Sequence, residues 1–165
     1  MQRGAPESRQ LVFAVRVVPV GKPAKASVLQ ATEPVTGQQR KVEMQHYAIN
    51  YAIAGPQLAL TSNGNMRRAI LDFMITAFDD DGAIISHIAF KTTNDLKPAA
   101  YRDMIIGGLR MHQEVDVPAN AVSLRLGVFD EQSRHLGTLE LPLPLKAPPD
   151  EPAAQGRRLP PVEPD

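Results

Sequence analysis

The stretch RRAILDFMITAFDDDGAIISHIAFKT, residues 67–92, decides the fold class, because two apolar runs flank a short acidic turn. The first run carries apolar side chains on both alternating faces, which is typical of a strand at the centre of a sheet or beneath a covering segment. The Asp81-Gly82 pair predicts a hairpin, since glycine readily adopts the positive φ that tight turns require. We therefore predict a central strand that is joined through the aspartates to an antiparallel partner.

Alternation of apolar and polar residues with period two recurs along the chain and predicts half-buried strands. It is clearest in residues 46–53, 109–117, 121–130 and 138–145. Adding an N-terminal strand at residues 11–20 and a short one at 57–61 gives about eight strands, at the spacing of a β-sandwich. Pro142 and Pro144 donate no amide hydrogen, so the last strand should lie at a sheet edge.

These patterns together predict an all-β fold, an immunoglobulin- or fibronectin-like β-sandwich of about eight strands with one short helix. The helix is expected just after Lys97, because Pro98 fits the first turn of a helix. The Gly107-Gly108 pair would end it after one to two turns.

The composition divides the chain into three parts. Residues 1–9 are expected to form a flexible N-terminus, and residues 10–146 form the sandwich domain, with a long polar connection at about residues 21–45. Residues 147–165 contain six prolines and few large apolar side chains. Such a composition is typical of an extended, disordered tail.

Charge and composition exclude several classes of function. Eighteen basic residues balance eighteen acidic ones, whereas nucleic-acid binding favours a basic excess. No cysteine is present, which excludes disulfides, thiolate zinc sites and a cysteine nucleophile. The apolar run at residues 11–20 contains Arg16 and is half as long as the ~20 residues of a membrane helix. We expect no nucleic-acid partner and no membrane span, and no signal peptide is visible.

The aspartates at Asp79, Asp80 and Asp81 are the candidate cation ligands. A calcium loop of the EF-hand type needs an oxygen ligand at its first position and a glutamate at its twelfth. Ala77 and Ile88 occupy those positions here, so a plain hairpin turn is favoured. A weak calcium site that these aspartates share with another loop is the alternative, and it would make the chain a calcium-stabilised adhesion module.

A hydrolase is a further alternative, because two strands end in Phe-Asp. Asp79, Asp81, Asp130 and Glu131 would form one carboxylate cleft if both turns lay at the same end of the sandwich. No G-x-S-x-G nucleophile motif and no phosphate-binding glycine loop occur in the sequence. We therefore expect no enzyme activity and no cofactor.

Residues 47–145 resemble the C-terminal β-sandwich region of bacterial secreted proteins called von Willebrand factor A-related. The similar motifs are an F-D-x-D-G hairpin, a proline-led helix with tyrosine, a strand ending Q-x-x-D-x-P, and a final L-R-L-G-V-x-D followed by G-T-L-x-x-P-L. They fall at residues 78–82, 98–101, 111–118, 124–130 and 137–143. The resemblance implies a sandwich module of a secreted or cell-envelope protein and supplies no catalytic residues. The D-x-S-x-S metal-adhesion motif of the A domain is missing.

The predicted function is therefore that of a non-catalytic structural or protein-interaction module within a larger envelope or secreted protein. Binding would occur by surface complementarity or by addition of a strand at an open sheet edge. The N-terminal strand is the expected contact, with Leu11, Phe13, Val15 and Val17 as candidate interaction residues. The partner would be another protein or a second copy of the chain.

Overall fold

Eight β-strands and one α-helix make up the regular structure of residues 2–28 and 40–145, which are the residues that this computed structural model describes. They form two antiparallel sheets, so the predicted all-β sandwich with one short helix is confirmed. The elements are β1 (Phe13–Val28), β2 (Arg40–Ile53), β3 (Thr61–Asn63), β4 (Met66–Phe78), β5 (Ile84–Leu96), α1 (Pro98–Gly107), β6 (Leu109–Pro118), β7 (Ser123–Asp130) and β8 (His135–Pro142).

The smaller sheet has three strands in the order β1-β2-β6. In the larger sheet β4 is central, as its apolar faces predict: β5 pairs along one side of β4, and β3 and β7 pair along the other. β8 pairs with β7 and ends this sheet. The strand that contains Pro142 therefore lies at an edge, where a missing amide hydrogen removes no ladder bond.

The core lies between the two sheets and is lined by the alternating apolar side chains of β2, β4 and β7. Aromatic rings connect the sheets. Tyr51 of β2 packs edge-on against Phe73 of β4, with 5.0 Å between ring centroids, and Phe73 stacks on Phe90 of β5 at 4.9 Å. Each such pair adds about 0.5–1.5 kcal/mol beyond the buried area. Burial also raises the pKa of the Tyr51 hydroxyl, which keeps this side chain neutral.

The predicted polar connection at residues 21–45 is mostly strand, because β1 continues to Val28 and β2 begins at Arg40. Its middle, residues 29–39, lies outside the described residues, as does the predicted disordered tail at 147–165. Periodicity missed the continuation of β1 because residues 21–25 are all exposed, so apolar and polar side chains do not alternate there.

Two smaller predictions also differ from the structure. The predicted strand at residues 57–61 is instead a 3-10 turn over Gly55–Gln57 followed by irregular chain, and only Thr61 enters β3. The helix begins at Pro98 as predicted but runs for ten residues rather than one to two turns. It connects β5 of the larger sheet to β6 of the smaller one.

Candidate functional site

A two-sheet sandwich presents edge strands, and here they are β1 and β6 in the smaller sheet and β5 and β8 in the larger. An edge strand exposes unpaired backbone N–H and C=O groups, to which a strand of another chain can bond. The four edges of this sandwich differ in how they are covered, and that difference locates the candidate site.

The edge of β8 is covered by residues 2–11, which run antiparallel along it. The Thr138 amide of β8 donates to the Ser8 carbonyl at 2.9 Å. Gly137 permits this close approach, since a Cβ atom at that position would lie 2.0 Å from the Leu11 carbonyl oxygen. The N-terminal segment therefore acts as an additional strand that closes this edge.

Arg125 of β7 holds the same segment from the outer face of the larger sheet. Its side chain is 3% exposed, and its guanidinium lies 3.2 Å from the Glu140 carboxylate of β8. It also donates hydrogen bonds to backbone carbonyls of the segment. The acceptors are Gln2, Ala5 and Pro6, at 3.0, 2.7 and 2.8 Å. The flexible N-terminus at residues 1–9 stays a prediction, and the described part of this segment supplies the acceptors that a buried guanidinium requires.

The edge of β1 is the opposite case, since among the described residues β2 is its only sheet neighbour. Leu11, one of the predicted interaction residues, precedes β1 and is 1% exposed in the core. The other three, Phe13, Val15 and Val17, alternate along β1 toward the core and are only half-buried. A strand added beside β1 would complete the covering of these side chains.

The edges of β5 and β6 are less suited than the edge of β1 to the addition of a partner strand. On β6 the inward side chains Val115 and Val117 are already buried. On β5 the inward positions include Thr92 and Asn94, whose side chains hydrogen-bond to each other at 3.2 Å. Inward-facing polar side chains discourage the addition of a strand. Of the four edges, β1 therefore carries the apolar row that is both continuous and incompletely covered.

The regular part of the β1 edge is short. The pairing with β2 shifts register between Val20 and Ala24, and the Gln45 side-chain amide donates to the Val20 carbonyl at 3.2 Å across this irregularity. Pro19 lacks an N–H group. Prolines and bulges limit the pairing of an edge strand, so residues 13–18 are the part that can accept a regular partner strand.

The charge of β1 indicates what kind of segment would fit. Its exposed charged side chains, Arg16, Lys22 and Lys25, are all basic, and no acidic residue occurs in Phe13–Val28. Val12 and Val20 flank residues 13–18 and are 54% and 44% exposed. An extended segment with acidic and apolar side chains would complement this edge.

Three titratable side chains, His46 of β2 with Asp116 and Glu114 of β6, join these strands on the outer face of the smaller sheet. His46 Nδ1 lies 2.8 Å from Asp116 and its Nε2 lies 3.4 Å from Glu114. The hydrogen bond to Asp116, together with the Glu114 carboxylate, raises the pKa of His46 against the opposing effect of burial. The protonated imidazole therefore stabilises the pairing of the two strands beside β1.

The predicted aspartate turn is a hairpin that connects β4 and β5. Gly82 has φ 82°, and the Asp79 carboxylate accepts a hydrogen bond from the Ala83 amide at 2.8 Å. Arg3 donates to the Asp80 carbonyl at 2.8 Å. Within residues 2–28 and 40–145, no group of three or more His, Asp or Glu side chains is arranged to hold a metal ion.

The carboxylates of the hydrolase alternative do not converge. Asp79 follows the last residue of β4, whereas Asp130 pairs with Leu71 near the middle of the strand. Seven to eight residues of strand separate the two turns, which is roughly 25 Å. The cleft that would combine Asp79 and Asp81 with Asp130 and Glu131 is therefore not formed.

Asp130 and Glu131 have local partners instead. The Asp130 carboxylate is fully buried and accepts hydrogen bonds from the Ala59 amide at 2.8 Å and the Ser133 hydroxyl at 2.9 Å. Glu131 pairs with Lys91 of β5, and this contact lowers the pKa of the Glu131 carboxyl. Asp130 thus fastens the turn between β7 and β8 to the irregular chain before β3, and Glu131 fastens it to β5.

No family model, curated protein or solved structure matches the chain. The resemblance to von Willebrand factor A-related proteins therefore remains a prediction from motifs. The described residues contain no helix with the length and apolar character that are needed to cross a membrane.

Proposed function

We propose that this chain is a non-catalytic interaction module, which binds an extended acidic segment of a partner protein as an added strand on β1. The observation that carries the proposal is the half-buried apolar row of Phe13, Val15 and Val17 on an edge whose backbone has no second neighbour among the described residues. Strand addition satisfies the free backbone groups and buries the apolar row in one step.

Main-chain hydrogen bonds would supply most of the affinity, and alternate side chains of the partner would supply specificity. Apolar side chains of the added strand would pack beside Val15 and Val17, while acidic ones on its outer face would meet Arg16. Direct pairing of two β1 edges is disfavoured, because Arg16, Lys22 and Lys25 of the two copies would repel each other.

The wider context of the proposal rests on the sequence resemblance. It favours an immunoglobulin-like module of a larger protein that bacteria secrete or display on the cell envelope. An interaction module suits such a parent protein, since strand addition needs no catalytic residue, cofactor or metal.

The test is a titration of the isotopically labelled full chain with an acidic peptide of about ten residues in which valine alternates with glutamate. We expect amide shift changes in residues 13–18 and in the facing part of β2. Arg16→Glu should weaken the binding, because it replaces an attraction to the acidic side chains of the peptide with a repulsion. Arg110→Glu is the matched control, because Arg110 is exposed on β6 of the same sheet, and this variant should bind normally. Shift changes on β5 or β6 instead of β1, or equal losses in both variants, would overturn the proposal.

A further inference from the structure

We propose that residues 2–11 are an exchangeable strand, and that two copies of the chain associate by placing this segment on each other's β8. The receiving surface, here called the β8 groove, is formed by Arg125, Leu136, Thr138 and Glu140. This inference is independent of strand addition at β1.

The segment is held by its backbone groups together with the side chains of Arg3, Glu7, Ser8 and Gln10. Arg125 donates hydrogen bonds to three backbone carbonyls of the segment. The Ser8 amide donates to the Thr138 hydroxyl at 2.8 Å, and the Ser8 carbonyl accepts from the Thr138 amide at 2.9 Å. The Gly4 amide donates to the Glu140 carboxylate at 3.0 Å. Such contacts do not depend on which chain supplies the segment, since every copy presents the same groups.

The β8 groove cannot be left uncovered without loss. Arg125 is buried even though its Nε atom has no hydrogen-bond partner, so the guanidinium relies on the segment carbonyls and on Glu140. An unsatisfied buried cation is costly. When the segment of one copy leaves, the segment of a second copy restores the same hydrogen bonds, and this favours exchange over an open groove.

The backbone that joins residues 2–11 to β1 can change direction at one residue, Val12. Leu11 is the only fully buried side chain among residues 2–12, and Val12, which follows it, is 54% exposed. A change of backbone direction at Val12 would carry residues 2–11 to a neighbouring molecule. When two copies exchange their segments, each segment keeps every contact that it makes within a single chain. The exchanged dimer and the separate chains therefore differ only in the backbone at Val12 and in the entropy of association.

The experiment uses full-length chains that each carry one cysteine, since the natural sequence has none. Ser8 and Thr138 lie opposite each other, so Ser8→Cys and Thr138→Cys chains are mixed at high concentration and treated with a short thiol crosslinker. Thr93→Cys replaces Thr138→Cys as the matched control, because Thr93 is exposed on β5, at the far edge of the larger sheet. Products are identified by mass spectrometry.

We expect the Ser8–Thr138 crosslink between chains to exceed the Ser8–Thr93 crosslink by about tenfold or more, because exchange raises the effective concentration of the two thiols. A yield equal to the control overturns the proposal. A double variant, Ser8→Cys with Thr138→Cys, checks the fold and should close within a single chain at high dilution. Failure of that closure also overturns the proposal, since the segment would then not occupy the groove at all.

Discussion

Residues 2–11, which cover the edge of β8, are joined to β1 through Val12, yet the edges of β8 and β1 are covered very differently. At β8, a buried arginine requires backbone acceptors, and residues 2–11 supply them. At β1, the row of Phe13, Val15 and Val17 lies beside an edge with no second strand among the described residues. The comparison teaches that a buried polar group can fix a segment whose own side chains bury little, whereas an apolar row can stay incompletely covered.

The largest effect is expected when Arg125 is replaced by methionine. The change leaves the Gln2, Ala5 and Pro6 carbonyls without their donor and the Glu140 carboxylate without its cationic partner. Breaking a buried ion pair costs about 3–5 kcal/mol. Chemical denaturation of the Arg125→Met chain should show a loss of this size in the free energy of unfolding. Arg110→Met, at an exposed position, should stay within about 0.5 kcal/mol of the natural chain. Similar losses in both variants would mean that the β8 edge is not held by Arg125.

Gly137→Ala tests the same edge without removing any charge. The new Cβ atom would lie 2.0 Å from the Leu11 carbonyl oxygen and 3.0 Å from the Phe13 ring. The segment must shift, and we expect a destabilisation of about 2–3 kcal/mol. Gly107→Ala meets no atom within 4 Å and should be neutral or slightly stabilising, since alanine favours helix. If the two glycine variants unfold alike, the close contact of the segment with β8 is wrong.

Two valine variants compare how completely the inward side chains of β1 and β6 are buried. Val117 on β6 is 1% exposed, whereas Val17 on β1 is half-buried. Val117→Ala should cost about 2–3 kcal/mol and Val17→Ala about 1 kcal/mol, because the smaller side chain loses less buried area at the edge. Equal losses in denaturation experiments would show that β1 is covered as completely as β6.

The smallest effect concerns His46, which joins β2 to β6 beside the β1 edge. Its folded-state pKa is raised, mainly by Asp116 and then by Glu114. The pair therefore stabilises the fold fully below the unfolded pKa of about 6.5 and loses this contribution as pH rises through the folded pKa. His46→Asn should lower the free energy of unfolding by up to ~1 kcal/mol at acidic pH and change nothing at alkaline pH. Asp116→Asn should remove most of this pH dependence; a difference that persists at alkaline pH would contradict the ion pair.

The sequence predicted the elements whose side chains alternate against the core. β4 was identified as central because both of its faces are apolar, and the aspartate turn because Gly82 fits a hairpin. The strand that contains Pro142 was predicted to lie at a sheet edge because proline has no amide hydrogen, and β8 does end the larger sheet.

What the sequence could not predict depends on contacts between distant positions. Residues 2–9 are polar and aperiodic, so they were expected to be flexible. Their partner Arg125 stands in a strand where the alternation places it at a solvent-facing position. Only the fold brings the two together, across about 120 positions of the chain. Likewise, the separation of Asp79 from Asp130 follows from the register of β4 with β7, which composition does not specify.

The most direct test of the central comparison is amide hydrogen exchange of the free full-length chain, followed by NMR. We predict strong protection of the Leu11 and Thr138 amides, which bond across the covered β8 edge. Along residues 13–18 we predict alternation, with slow exchange where the amide faces β2 and fast exchange where it points away. Uniform protection of residues 13–18, or fast exchange at Leu11 and Thr138, would contradict the account of one closed and one open edge.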